Sequence, residues 1–69
     1  SVDSSILFRG VSIASNSLVR NCVIMQDVHI AENCLLENEI LDKNAVIRPG
    51  TKLVGHKDYP VVIDKGAIV

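Results

Sequence analysis

The sequence predicts an all-β protein: a left-handed parallel β-helix of the hexapeptide-repeat type, with about four coils of 17 residues. Three observations carry that prediction: internal self-similarity, the spacing of apolar residues, and the turn formers between them. Val23–Glu39, VIMQDVHIAENCLLENE, aligns without a gap on Ile6–Cys22 before it and Ile40–His56 after it. Ile13, Ile30 and Ile47 then share a column, as do Val11, Val28 and Ala45; Ser17, Cys34 and Thr51; and Val19, Leu36 and Leu53. Repetition at a fixed short period marks a stack in which each unit buries its apolar face against the next.

The apolar positions Ile13, Val19, Ile24, Ile30, Leu36, Leu41, Ile47 and Leu53 recur at steps of five or six residues. That is neither the 3.6 period of a helix nor the alternation of a long strand. Val and Ile dominate the set, which favours strands. Between them fall corner residues such as Ser15-Asn16, Arg20-Asn21, Glu32-Asn33, Lys43-Asn44 and Pro49-Gly50. Three short strands and three corners per coil make a triangular prism, with coils stacked at a strand spacing of about 4.8 Å. A helical solenoid is excluded by the frequent Asn, the dense β-branching and Pro49-Gly50. A leucine-rich repeat needs a longer unit, roughly 20–29 residues.

Each hexad has an aliphatic residue first and a small one fifth, both expected to point inward. Ile13–Leu18, Ile30–Leu35 and Ile63–Ile68 show the form. Asn16, Asn33, Gly50 and Gly66 fall where a left-handed backbone is least costly. One strand per coil is expected to be a residue short, giving 17 rather than 18. The fourth turn is expected to be shorter again, 16 residues from Ile47 to Ile63, with Asp58-Tyr59-Pro60 as a loop. The chain starts in mid-repeat, Val2 falling in the Val19 column, so residues 1–69 are expected to be one β-helix unit, the C-terminal part of a longer protein. Burial and ordering entropy nearly cancel at this size, and both ends expose strand edges, so a cap or partner is expected.

A net charge of −1 offers no electrostatic case for nucleic acid or an anionic membrane, and no apolar run is long enough to span a bilayer. Cys22 and Cys34 lie in different columns and form no CxxC, so they are expected to be free thiols in a reducing cytoplasm. His29 and His56 are the only candidate general bases, and both are expected to face solvent. Arg9, Lys43 and Arg48 fall on separate corners, and no phosphate-loop pattern is present. Arg20 and Glu37 share a column and can pair, and Asn21 and Asn38 can form an amide ladder. No catalytic, metal or cofactor residue is assigned.

The apolar residues that the interior cannot use carry more information. Ile6-Leu7-Phe8 and Val23-Ile24-Met25 each place three large groups in succession, and alternation lets only every second one point inward. With Leu7, Ile24 and Leu41 inside, Ile6, Val23 and Ile40 line an outer face, with Phe8 and Met25 beside them. Leu18, Leu35 and Ile68 are expected to form a second outward column, interrupted by Lys52. Contiguous apolar strips of this kind mark contact surfaces.

The runs SSILFRGVSI, VRNCVIMQD and LDKNAVIRPGTKLVG resemble the C-terminal β-helix of the bacterial ADP-glucose pyrophosphorylase (glucose-1-phosphate adenylyltransferase) family. The ending KLVGHKDYPVVIDKGAIV is most similar to that family's non-catalytic D-type subunit of glycogen biosynthesis. The resemblance implies an N-terminal nucleotidyltransferase domain, outside these residues, that makes ADP-glucose and pyrophosphate from ATP and glucose 1-phosphate. It also implies a cytoplasmic β-helix that packs on that domain, joins other adenylyltransferase subunits in a homo- or hetero-tetramer and helps carry allosteric signals. None of the family's substrate-binding motifs falls here, so no catalytic residue is carried over. The rival expectation is a fragment of a hexapeptide acyltransferase, active as a trimer with sites between helices. The shortened coil and the lack of a protruding His-bearing loop count against it.

Overall fold

A computed structural model describes all 69 residues, and every strand pairing in it is parallel. The first coil carries β1 (Val2–Asp3), β2 (Ile6–Leu7) and β3 (Ser12–Ile13). The second carries β4 (Leu18–Arg20), β5 (Val23–Ile24) and β6 (His29–Ile30), and the third β7 (Leu35–Glu37), β8 (Glu39–Leu41) and β9 (Val46–Ile47). The fourth contributes β10 (Lys52–Val54) and β11 (Val61–Ile63). They form three flat sides, ordered β1-β4-β7-β10, β2-β5-β8-β11 and β3-β6-β9. This parallel solenoid is the architecture the repeat predicts, and it is consistent with a left-handed β-helix.

The first three coils keep the predicted 17-residue register: Ile13 pairs with Ile30 and Ile30 with Ile47, while Val19 pairs with Leu36 and Leu36 with Leu53. Inside, Val19, Ile24, Val28, Ile30, Leu36, Leu41, Ala45 and Ile47 form an aliphatic core with Cys22 and Cys34. Leu7 points inward as expected but is 42% exposed, because its coil lies at the end of the stack.

Corners are made by residues with a left-handed backbone. Asn16, Asn33 and Gly50 form one column at φ 63°, 59° and 75°; Gly10, Asp27, Asn44 and Gly66 form a second at 78°, 59°, 61° and 72°. Ser4, Asn21 and Asn38 form the third, at 48°, 53° and 54°. The short polar side chains of Asn and Asp tolerate this region, and glycine enters it freely. At Gly10 a Cβ would also meet the Asp27 carboxylate, which would have to swing aside to admit it.

Three sequence expectations are corrected. The missing residue of the 17-residue coil lies not in a strand but at the Asn21 and Asn38 corner. There the inward residues Val19 and Cys22 are three apart instead of four, while β4 and β7 run three residues. The fourth turn is longer, not shorter. Ile63 pairs with Leu41, 22 residues earlier, and it is Val69 whose amide bonds across to Val46 above Ile47. The difference is the insertion His56–Pro60, which folds on itself through a Tyr59 N–H to His56 O bond of 3.0 Å. Consequently Gly66 belongs to the Asp27 column rather than the Asn33 column. Ile68, which bridges to Val46, lies on the β3-β6-β9 side rather than above Leu18 and Leu35.

Candidate interaction faces

Alternation fixes what each side shows to solvent. On the β2-β5-β8-β11 side Leu7, Ile24, Leu41 and Ile63 turn inward, so Ile6, Val23, Ile40 and Val62 stack outward in register, one per coil. Ile6 and Val62, at the two ends, are 60% and 58% exposed, while Val23 and Ile40 are half-buried between them. Two residues further on, Phe8 and Met25 stand in the lower coils and Asp42 and Asp64 in the upper ones; the Phe8 amide bonds to Ile24 O and the Met25 amide to Leu41 O, both at 2.9 Å. The lower half of this side is thus an apolar patch of Ile6, Phe8, Val23 and Met25. Its upper half is an aliphatic ridge beside two carboxylates.

The β1-β4-β7-β10 side is more mixed. Leu18 and Leu35 are paired and half-buried, and Lys52 completes their column. Beside them Arg20 and Glu37 form the expected ion pair, 3.5 Å apart. Asn21 donates to Asn38 Oδ1 at 2.6 Å and Asn38 to Gly55 O at 2.9 Å, so the expected amide ladder climbs three coils. The third side shows Ser12, His29, Val46 and Ile68.

The structure therefore brings Ile6, Val23, Ile40, Phe8 and Met25 together on one side and places Leu18 and Leu35 on the next. Val62 escaped the sequence reading because the fourth coil was set in the wrong register. The match of LDKNAV (41–46) to IDKGAI (63–68) would have supplied it.

No cavity opens between the coils, and no cluster of three or more His, Cys, Asp or Glu side chains converges. His29 is exposed on β6. His56 is exposed in the insertion, where its Nδ1 lies 3.1 Å from the Asp58 amide and 3.8 Å from the Asp58 carboxylate. Cys22 and Cys34 are free and buried. Burial pushes the Cys22 thiol up, and the nearby Glu39 and Glu37 carboxylates add to this against two main-chain hydrogen bonds.

Glu39 was also missed. It is 1% exposed at the Asn38 corner, directly above Cys22, and neither carboxyl oxygen has a hydrogen-bond partner. Burial raises its pKa to about 7; the nearby Gly55 amide, whose own hydrogen bond goes to Glu37 O at 2.8 Å, offsets this only in part. The signal was present in its column: one coil below Glu39 stands the inward Cys22, a position that excludes a solvated carboxylate.

The family described as GlmU-like, C-terminal hexapeptide matches residues 1–60. Among curated proteins, the chain is 37% identical over 99% of its length to a glucose-1-phosphate adenylyltransferase of Shewanella amazonensis, covering 17% of that protein. It is 33% identical over 99% of its length to the one of Deinococcus deserti (18% of that protein). It is 42% identical over 84% of its length to the one of Deinococcus radiodurans (14% of that protein). The chain thus spans less than a fifth of the length of these relatives. No solved structure matches it. The chain belongs to the GlmU-like C-terminal hexapeptide family.

Proposed function

We propose that this chain is the β-helix assembly unit of a glucose-1-phosphate adenylyltransferase subunit serving glycogen biosynthesis in the cytoplasm. The flat side bearing Ile6, Val23, Ile40 and Val62 packs on the subunit's own nucleotidyltransferase domain or on a neighbouring subunit. The Leu18 and Leu35 column gives a second, smaller contact. Chemistry belongs to the catalytic domain, which joins ATP and glucose 1-phosphate into ADP-glucose and pyrophosphate. The β-helix sets subunit geometry and passes conformational signals between domains. The D-type, non-catalytic subunit is the version favoured by the Lys52–Val69 ending.

The observation that carries this reading is the in-register outward ladder of four aliphatic residues. A solvated prism side has no use for such a ladder, and an interface does. Similarity to glucose-1-phosphate adenylyltransferases supports this identity for the assembly. The test is to purify the full-length gene product, alone and with a catalytic adenylyltransferase subunit, and to measure mass by light scattering together with ADP-glucose formation. A tetramer, with activity of its own or activity altered in the mixture, is the expected result. A stable trimer that transfers acyl groups overturns the proposal.

A further inference from the structure

Behind its outer faces, the prism buries a single carboxyl group. At the corners, small inward side chains bind successive coils together. Ser17 donates its hydroxyl to Ala31 O at 2.6 Å and accepts the Cys34 amide at 3.1 Å. Cys34 donates its thiol to Arg48 O at 3.2 Å, and the Cys22 thiol lies between Arg20 O at 3.3 Å and Leu36 O at 3.5 Å. Ser5 accepts the Cys22 amide at 3.1 Å. Every member of this ladder is neutral, and Ser17, Cys22 and Cys34 each reach a carbonyl of the next coil.

Glu39 occupies the next rung of the Ser5–Cys22 column. A carboxylate has no proton to give, so only the neutral acid can do what its neighbours do. The surroundings favour that form. Cys22, below, is a thiol held up in pKa by burial. Glu37, across the corner, is engaged with Arg20. From above Glu39 is covered by Gly55 and Val61, which carry no charge, and their amides are already given to Glu37 O at 2.8 Å and Asn38 O at 3.3 Å. His56, Lys57 and Asp58 stand exposed beyond them in the insertion. Gly55 approaches so closely that a Cβ there would lie 2.9 Å from Glu39 Oε2, 2.5 Å from Asn38 O and 3.1 Å from Val61 N. The two ends of the insertion, Gly55 and Val61, thus close over this one carboxyl group.

We propose that Glu39 is a proton-operated latch for the His56–Pro60 insertion: neutral, it lets the Gly55–Val61 neck close over it, and ionised, it opens the neck to water. The step is loss of one proton to solvent, with no covalent change. Because β11 leaves directly from the neck, opening also loosens Val62, the top of the outward ladder.

The test is amide hydrogen exchange of the protein across pH, corrected for intrinsic exchange rates and read at Gly55 and Val61. Between pH 6 and 8, protection falls about tenfold in the wild type, the change expected when a group titrating near 7 closed and near its ordinary value open controls the opening. In Glu39→Gln, which stays neutral, protection is flat with pH; in His56→Gln the wild-type slope persists. Should Glu39→Gln fail to fold, the wild-type Glu39 carboxyl followed by carbon NMR is decisive: a midpoint near 7 supports the latch. A midpoint in the ordinary carboxylate range, or a slope lost in His56→Gln but kept in Glu39→Gln, overturns it.

Discussion

Leu41–Val46 and Ile63–Ile68 are nearly the same peptide, LDKNAV against IDKGAI, and the second lies directly above the first. What precedes them differs. The Asn38 corner reaches Leu41 by the shortest route the prism allows, whereas Gly55 reaches Ile63 only after five inserted residues. In the second and third coils every position is specified twice, by its hexad and by the residue one coil away. In the insertion neither constraint operates, and the chain makes its own turn over a buried acid. Regular coils are held by stacked columns, and the insertion is held at its neck.

The largest expected contrast is in packing. Leu36 is fully buried in the middle of its column, so Leu36→Ala costs about 2–5 kcal/mol in chemical denaturation. Tyr59, at the tip of the insertion, is 80% exposed, and Tyr59→Ala stays within about 0.5 kcal/mol. Equal costs for the two would break the distinction.

Next comes pH. The closed protein holds the Glu39 proton to about 7, against 4.5 for an unperturbed group. The folded state therefore binds more protons than the unfolded state between these values. Its Glu39-dependent stability is fully present below about 4.5 and falls as pH rises through about 7. The total loss is about 3 kcal/mol, and Glu39→Gln, neutral at every pH, abolishes this pH dependence. Denaturation midpoints from pH 5 to 8 check the sign; stability from this group that rises over that range contradicts it.

The smallest contrast compares two glycines. Gly50 has φ 75° with open space around it, so Gly50→Ala costs only backbone strain, about 1 kcal/mol. Gly55 lacks a positive φ but is crowded by main-chain atoms, so Gly55→Ala costs about 1–3 kcal/mol through displacement of the neck. Thermal midpoints of the two variants sharpen the comparison, and a harmless Gly55→Ala removes the close approach from the account.

The same division explains what the sequence reveals. The Ile13–Ile30–Ile47 column, the left-handed Asn16 and Asn33 corners, the Arg20–Glu37 pair and the Asn21–Asn38 ladder are all legible, because a 17-residue offset repeats each environment. The fourth coil is less legible. Aliphatic residues are interchangeable in the core, so Ile63 fits above Ile47 as plausibly as above Leu41, and only the flanking Asp, Lys and Ala distinguish them. That ambiguity hid Val62 and misplaced Gly66 and Ile68. Glu39 was obscured by the short corner, where inward positions fall three apart and the expected small residue is a carboxylic acid.

The assembly reading is tested most directly by the mass of the full-length protein carrying Val23→Asp and Ile40→Asp. Both side chains point away from the core, so the β-helix keeps its β circular-dichroism spectrum, and His29→Asp on another side serves as control. Light scattering is expected to show the double variant dissociated and the control intact. A double variant that assembles like the wild type contradicts the account.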